Sequence, residues 1–159
     1  MFERFTREVR AVVTCAVGEA DMLGAASIGP EHLLLGVVEA GPDAAPARAL
    51  VAAGLDAPAM RAALEGELVD ALAPLGIPAE AVEAVGPAVP TGRRLRFSPA
   101  AKTALAQALK SVVERGDRRI DARHVALGVM RTPSPALQRL LDAARVDRDA
   151  LWRALSVGV

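Results

Sequence analysis

Tyrosine is absent from this 159-residue chain, and tryptophan and phenylalanine together supply only four residues. With aromatic residues at 3% and hydrophobic ones at 52%, the core has to be filled by Ala, Leu and Val. Ala and Leu favour helices, whereas strands draw on β-branched and aromatic residues, so a sheet is disfavoured. Cysteine occurs once, at Cys15, which excludes an internal disulfide and gives no reason to expect an oxidising compartment. Excess charge is missing as well. Nineteen basic residues balance nineteen acidic ones, leaving no net field to attract DNA, RNA or an anionic membrane, so neither is expected as a partner. No long apolar run follows Met1, because Glu3, Arg4, Arg7 and Glu8 interrupt any signal peptide or membrane span. A soluble cytoplasmic protein of one domain is expected; two domains would be cramped at this length.

What the chain does contain is a repeat. Phe5-Thr6 and Phe97-Ser98 lie 92 residues apart, and the same offset pairs Gly24 with Gly116, Ile28 with Ile120, His32 with His124 and Leu35-Gly36-Val37 with Leu127-Gly128-Val129. After the loss of one residue, Leu50, Asp56 and Leu64 meet Leu141, Asp147 and Leu155 at an offset of 91. Matches that include Gly, His, Phe and Asp are hard to attribute to chance in an Ala-rich chain.

Each copy reads as four helices. Thr6 is placed to cap a first helix whose Val9, Val12, Val13, Ala16, Val17 and Ala20 recur at three and four residues, with Gly24 as its left-handed stop. Pro30 suits the first turn of a second helix, ended by Gly41-Pro42. A third is expected over Pro46 to Ala53, stopped by Gly54, and a fourth from the Asp56 cap to about Leu72. In the second copy Ser98-Pro99, Gly116, Asp121 and Asp147 play the equivalent parts. The expected fold is all-α: two pseudo-twofold-related four-helix repeats, residues 1–72 and 97–159, packed as one domain.

Residues 73–96 form a Pro/Gly-rich linker, in which Ala79 to Val85 could still make a helical turn or two. Its Arg93-Arg94-Leu95-Arg96 end reads as a solvated stretch or as a contact for an acidic partner. No catalytic constellation stands out: no Gly-x-x-x-x-Gly-Lys-Ser/Thr phosphate loop and no recognisable Ser, His and Asp triad. His32 and His124 lie among leucines and valines without partners at metal-ligand spacing, so structural histidines are favoured and no metal or other cofactor is expected. Cys15 reads as a small core residue on the apolar side of the first helix.

The strings Met1-Phe2-Glu3-Arg4-Phe5-Thr6, Ile28-Gly29-Pro30-Glu31-His32-Leu33-Leu34-Leu35-Gly36 and Phe97-Ser98-Pro99-Ala100-Ala101-Lys102 resemble the Clp N-terminal (Clp R) repeat domain of ClpC-type protein-unfolding ATPases. The resemblance covers nearly the whole chain apart from the linker. It implies a free-standing, non-catalytic module that binds peptides, protein substrates or adaptors of the Clp degradation system, or alternatively a regulator that docks on a Clp ATPase ring. Some members bind phosphoarginine through a carboxylate that holds the guanidinium and a helix-start hydroxyl that helps hold the phosphate. Thr6 and Ser98 match the hydroxyls and Glu31 the first carboxylate, but the second carboxylate position is Arg123, which would repel a guanidinium. Glu31 is also favoured at a helix start without any ligand. Other members bind cyclic peptide antibiotics, and the matching positions are Phe2, Arg10, Phe97 and Lys102, which makes sequestration of such antibiotics one form of the expected function. The alternative for Phe97, as for Phe5, is a buried staple ahead of a helix cap.

Overall fold

Both repeats open with a capped helix. The structure is a computed structural model that describes residues 5–84, 92 and 94–157. Helix α1 (Arg7–Met22) begins where the Thr6 hydroxyl accepts the Val9 N–H at 3.3 Å, and it buries Val9, Val12, Ala16 and Ala20. Its counterpart α6 (Pro99–Arg115) begins where Ser98 Oγ accepts the Ala101 N–H at 3.0 Å, and it buries Ala101, Ala104, Leu105 and Ala108. Both end at a glycine in the left-handed region, Gly24 at φ 67° and Gly116 at φ 70°, a conformation that a side chain would disfavour.

The second helices, α2 (Pro30–Ala40) and α7 (Ala122–Met130), form the centre. They are too short to be stable alone. Burial holds them instead: Leu33, Leu34 and Leu35 are fully buried, and each such side chain contributes about 1.5–3 kcal/mol. α1 packs along α2, α6 packs along α7, and α2 meets α7 between the repeats. The remaining helices are α3 (Ala45–Ala52), α4 (Ala57–Leu72), α5 (Ala79–Ala84), α8 (Pro135–Ala143) and α9 (Arg148–Ser156), with a 3₁₀ turn at Ala73–Leu75. α3 begins and ends one residue before the sequence pattern places it, because Ala53 serves as its C-cap. α5 is the helical turn foreseen in the linker, and Gly92 returns to the first repeat by donating its N–H to Asp21 Oδ2 at 3.2 Å. Among the described residues no helix is long and apolar enough to cross a membrane.

An ion-pair cluster ties α4 down. Arg61 donates from Nε to Glu19 Oε2 at 3.0 Å and from Nη2 to Glu19 Oε1 at 2.6 Å, and its Nη2 also lies 3.0 Å from Glu39 Oε1. Cys15 stands apart from the core expected for it: it is half-buried, and burial together with the Glu39 and Glu19 carboxylates pushes its thiol up, away from the nucleophilic thiolate form.

The segments entering the helices are exchanged between repeats. Phe5 pairs in parallel with Ile120, and Ile28 with Phe97. The Ile28 N–H donates to the Arg96 carbonyl and the Ser98 N–H to the Ile28 carbonyl, both at 2.9 Å. At the other junction the Thr6 hydroxyl donates to the Ile120 carbonyl at 2.9 Å. Each repeat therefore completes the other, and the two halves form one unit.

Candidate functional site

These exchanged junctions create two helix-start seams, and they sort the sequence-predicted residues differently from the chain order. The first seam joins the start of α1 to the start of α7 and holds Thr6, Arg10 and Arg123; the second joins the start of α6 to the start of α2 and holds Phe97, Ser98, Lys102 and Glu31. Glu31 thus shares its seam with Ser98 of the other repeat, while Thr6 faces the Arg123 side. Arg10 and Lys102, 92 residues apart, are exposed on equivalent turns of α1 and α6. Phe5 is buried as a staple, whereas Phe97 is half-buried and packs against the core. Phe2, expected in the same peptide-binding set, lies outside the described residues.

Glu31 is the most unusual side chain of the second seam. It is buried in the first turn of α2, and its carboxylate folds back over Gly29, where any Cβ would collide with both carboxylate oxygens. Its Oε2 is buried with no hydrogen-bond partner. An orphaned buried acceptor costs about 1–3 kcal/mol. Burial pushes the Glu31 carboxyl up, its own backbone N–H pulls it down, Glu67 raises it further and Arg139 lowers it, for a net rise. Glu67 and Arg139 are themselves ion-paired, joining α4 to α8 beside this seam. A guanidinium reaching Glu31 would supply the missing donor.

The two histidines cap their own helices, yet the surroundings drive them apart. His32 Nδ1 accepts the Gly29 N–H at 2.9 Å, and His124 Nδ1 accepts the Asp121 N–H at 3.0 Å. His32 is buried, and desolvation lowers it to about 4 against an upward pull from Glu19; the Glu31 carboxylate, 3.5 Å from an Nδ1 already occupied by the Gly29 N–H, does not offset the burial. Burial would lower His124 too. Asp121 Oδ1 at 2.8 Å and Asp117 Oδ2 at 2.9 Å outweigh that effect and raise it. The difference is written in the repeat, because Asp117 and Asp121 stand where the first copy has Ala25 and Gly29.

Stability follows with a definite sign. The unfolded chain binds a proton at position 32 near pH 6.5 and the folded chain only near 4, so this contribution is fully present above pH 6.5 and is lost as the pH falls to 4. The loss amounts to about 3 kcal/mol. Urea unfolding at pH 7 and pH 4 should show a smaller acid loss for His32→Gln, whose side chain keeps a capping acceptor and cannot titrate. An identical loss in the variant and the wild type would mean that His32 protonates freely in the fold.

No family model matches the chain. Among curated proteins it is 28% identical over 142 residues, 89% of its length, to the negative regulator of genetic competence ClpC/MecB of Bacillus subtilis. It is 31% identical over 136 residues, 86% of its length, to the chloroplastic chaperone protein ClpC3 of Oryza sativa. The chain spans only 15% and 13% of those two proteins. Among solved structures, the N-terminal domain of the chaperone ClpD from Arabidopsis thaliana superposes with a TM-score of 0.69 at 19% identity, covering 98% of this chain and 96% of that one. The Hsp104 N-terminal domain from Candida albicans gives a TM-score of 0.64 at 13% identity, covering 95% and 88%. With its doubled four-helix fold and its ClpC-like sequence, the chain is a Clp N-terminal repeat domain.

Proposed function

We propose that this domain is a non-catalytic recognition module of a Clp-type protein-degradation system, taking peptides, protein substrates or adaptors at its helix-start seams. What supports the reading most is the similarity of nearly the whole chain to Clp N-terminal regions. In this reading the halves have unequal roles. The Glu31–Ser98 seam takes a guanidinium-bearing group, with phosphoarginine as the fitting ligand, because Glu31 holds an unsatisfied carboxylate oxygen and Ser98 starts a helix. The Thr6–Arg123 seam does not, because Arg123 repels the ligand's charge. The surface around Phe97 and Lys102, with Arg10 across the pseudo-twofold axis, is the place for a cyclic peptide antibiotic.

Calorimetry with a phosphoarginine peptide tests the inequality. One site per chain is expected, weakened about tenfold or more by Glu31→Gln and unchanged by Arg123→Ala. Two equivalent sites, or no heat with the wild type, would refute the phosphoarginine reading. The same titration with a cyclic peptide antibiotic, repeated on Phe2→Ala and Lys102→Glu, tests the second surface; unaltered heat in both variants would place that ligand elsewhere.

A further inference from the structure

Zero net charge conceals a segregation. Of the charged residues from 43 to 83, seven are acidic and two basic, whereas from 92 to 123 nine are basic and three acidic. The weak field expected from the overall balance therefore does not describe the local surface. Part of the basic excess gathers on the Thr6–Ile120 seam, where Arg118 and Arg119 precede Ile120, Arg123 lies in the first turn of α7, and Arg7 opens α1 on the opposite side. Arg7, Arg118 and Arg119 are exposed, and Arg123 is half-exposed.

Nothing among the described residues accounts for these arginines. Among the described residues none of the four makes an ion pair or a side-chain hydrogen bond, in contrast to Arg61, Arg131, Arg139 and Arg148. The interleaved carboxylates are committed elsewhere. Asp121 caps α7 and faces His124, near enough to feel the Arg123 charge without pairing with it, and Asp117 bonds His124 and Arg115. Arg7 and Arg123, in the first turns of α1 and α7, also oppose their helix dipoles. The first repeat carries Ala26, Ser27 and Glu31 at the positions of Arg118, Arg119 and Arg123, and Glu31, in the first turn of α2, favours its helix. The second repeat thus carries an unfavourable cation at Arg123 and two further arginines beside it that pair with none of the described residues.

We propose that this seam docks an acidic segment of a partner protein, a run of Asp and Glu side chains received by Arg7, Arg118, Arg119 and Arg123. Unpaired guanidiniums suit separate carboxylates, each of which can be held by two hydrogen bonds. A nucleic-acid strand fits less well, because Phe5 is buried and offers no stacking face, and the Asp117 and Asp121 carboxylates interrupt the positive surface. The inference rests on the recognition role proposed above but uses the opposite seam. Loss of phosphoarginine binding in Glu31→Gln and loss of acidic-peptide binding in an Arg118 and Arg119 variant are therefore separate results.

Fluorescence anisotropy with a labelled short peptide of alternating Glu and Ser, beside its Gln and Ser counterpart, tests the proposal at about 50 mM salt. The acidic peptide should bind, the neutral one should not, and the double variant R118E/R119E should weaken binding about tenfold or more. Reversing two exposed arginines on α3 and α9, R48E/R153E, changes the net charge equally and should leave the affinity within about twofold. Equal losses in both double variants, or no preference for the acidic peptide, would overturn the proposal. So would a single-stranded oligonucleotide that binds as tightly and is lost in R118E/R119E, since the surface would then be a nucleic-acid site.

Discussion

Alanine at Gly36 or at Gly128 is expected to destabilise the domain by about 3 kcal/mol, the upper end of the usual overpacking range. The two positions are repeat equivalents, and each marks where the second helix of its repeat crosses the first. A Cβ at 36 would collide with the Val12 carbonyl oxygen and come within 3.2 Å of the Ala16 nitrogen. At 128 it would collide with the Ala104 carbonyl oxygen and lie 2.6 Å from the Ala108 nitrogen. These obstacles are backbone atoms of α1 and α6, which cannot rotate away as a side-chain tip could. The helices must separate, and the leucines and valines between them lose contact. For a domain of this size the change corresponds to a fall in Tm of roughly 10 °C, measurable by circular dichroism. Gly18→Ala is the internal control. Gly18 is an exposed residue within α1 that has nothing near its Cβ position, so alanine there should raise stability by about 0.5–1 kcal/mol. Three variants that all behave alike would mean that helix propensity and not close approach decides these sites.

Removing the Arg61 guanidinium is expected to cost about 2–3 kcal/mol. Glu19 is buried on α1, and Arg61 reaches it from α4 with two hydrogen bonds, while also meeting Glu39. In Arg61→Ala two like charges face each other with their shared counterion gone. The Arg61 side chain is itself 36% exposed, so water screens part of the loss, and the figure lies below that for a fully buried pair. Charge, rather than contact area, should dominate. Glu19→Gln introduced first should therefore shrink the effect of Arg61→Ala to less than about 1 kcal/mol in a double-mutant cycle. An undiminished effect would assign the stabilisation to packing of the arginine stem.

Much of the fold is legible in the chain because its signals are local. The caps at Thr6, Asp56, Ser98, Asp121 and Asp147 depend on a side chain reaching an N–H a few residues away, and every one of them does so. The left-handed stops at Gly24 and Gly116 are equally local. The exchange of entry segments is not, since Phe5 and Ile120 pair through isolated residues far apart in sequence, with no strand periodicity to reveal it. That hidden pairing is why Glu31 belongs with Ser98 and Thr6 with Arg123. The Glu31 and Arg123 difference is legible in the repeat offset alone, whereas the burial of the Glu31 carboxylate with one oxygen unmet depends on contacts distant in sequence. Cys15 shows the opposite failure: an apolar-looking position on α1 lies beside the Glu19 and Glu39 carboxylates contributed partly by another helix. The four arginines of the Thr6–Ile120 seam, unpaired among the described residues, are not legible in the net charge because a balanced total hides an unbalanced surface.

A fold repeated in outline but divergent in chemistry should be most visible at its equivalent histidines. NMR titration of the wild-type domain, following the His32 and His124 ring signals between pH 3 and pH 8, is the direct measurement. His32 should stay neutral until about pH 4. His124, held between Asp117 and Asp121, should gain its proton above the ordinary histidine value. Two superimposed curves near pH 6.5 would contradict the inequality of the two halves.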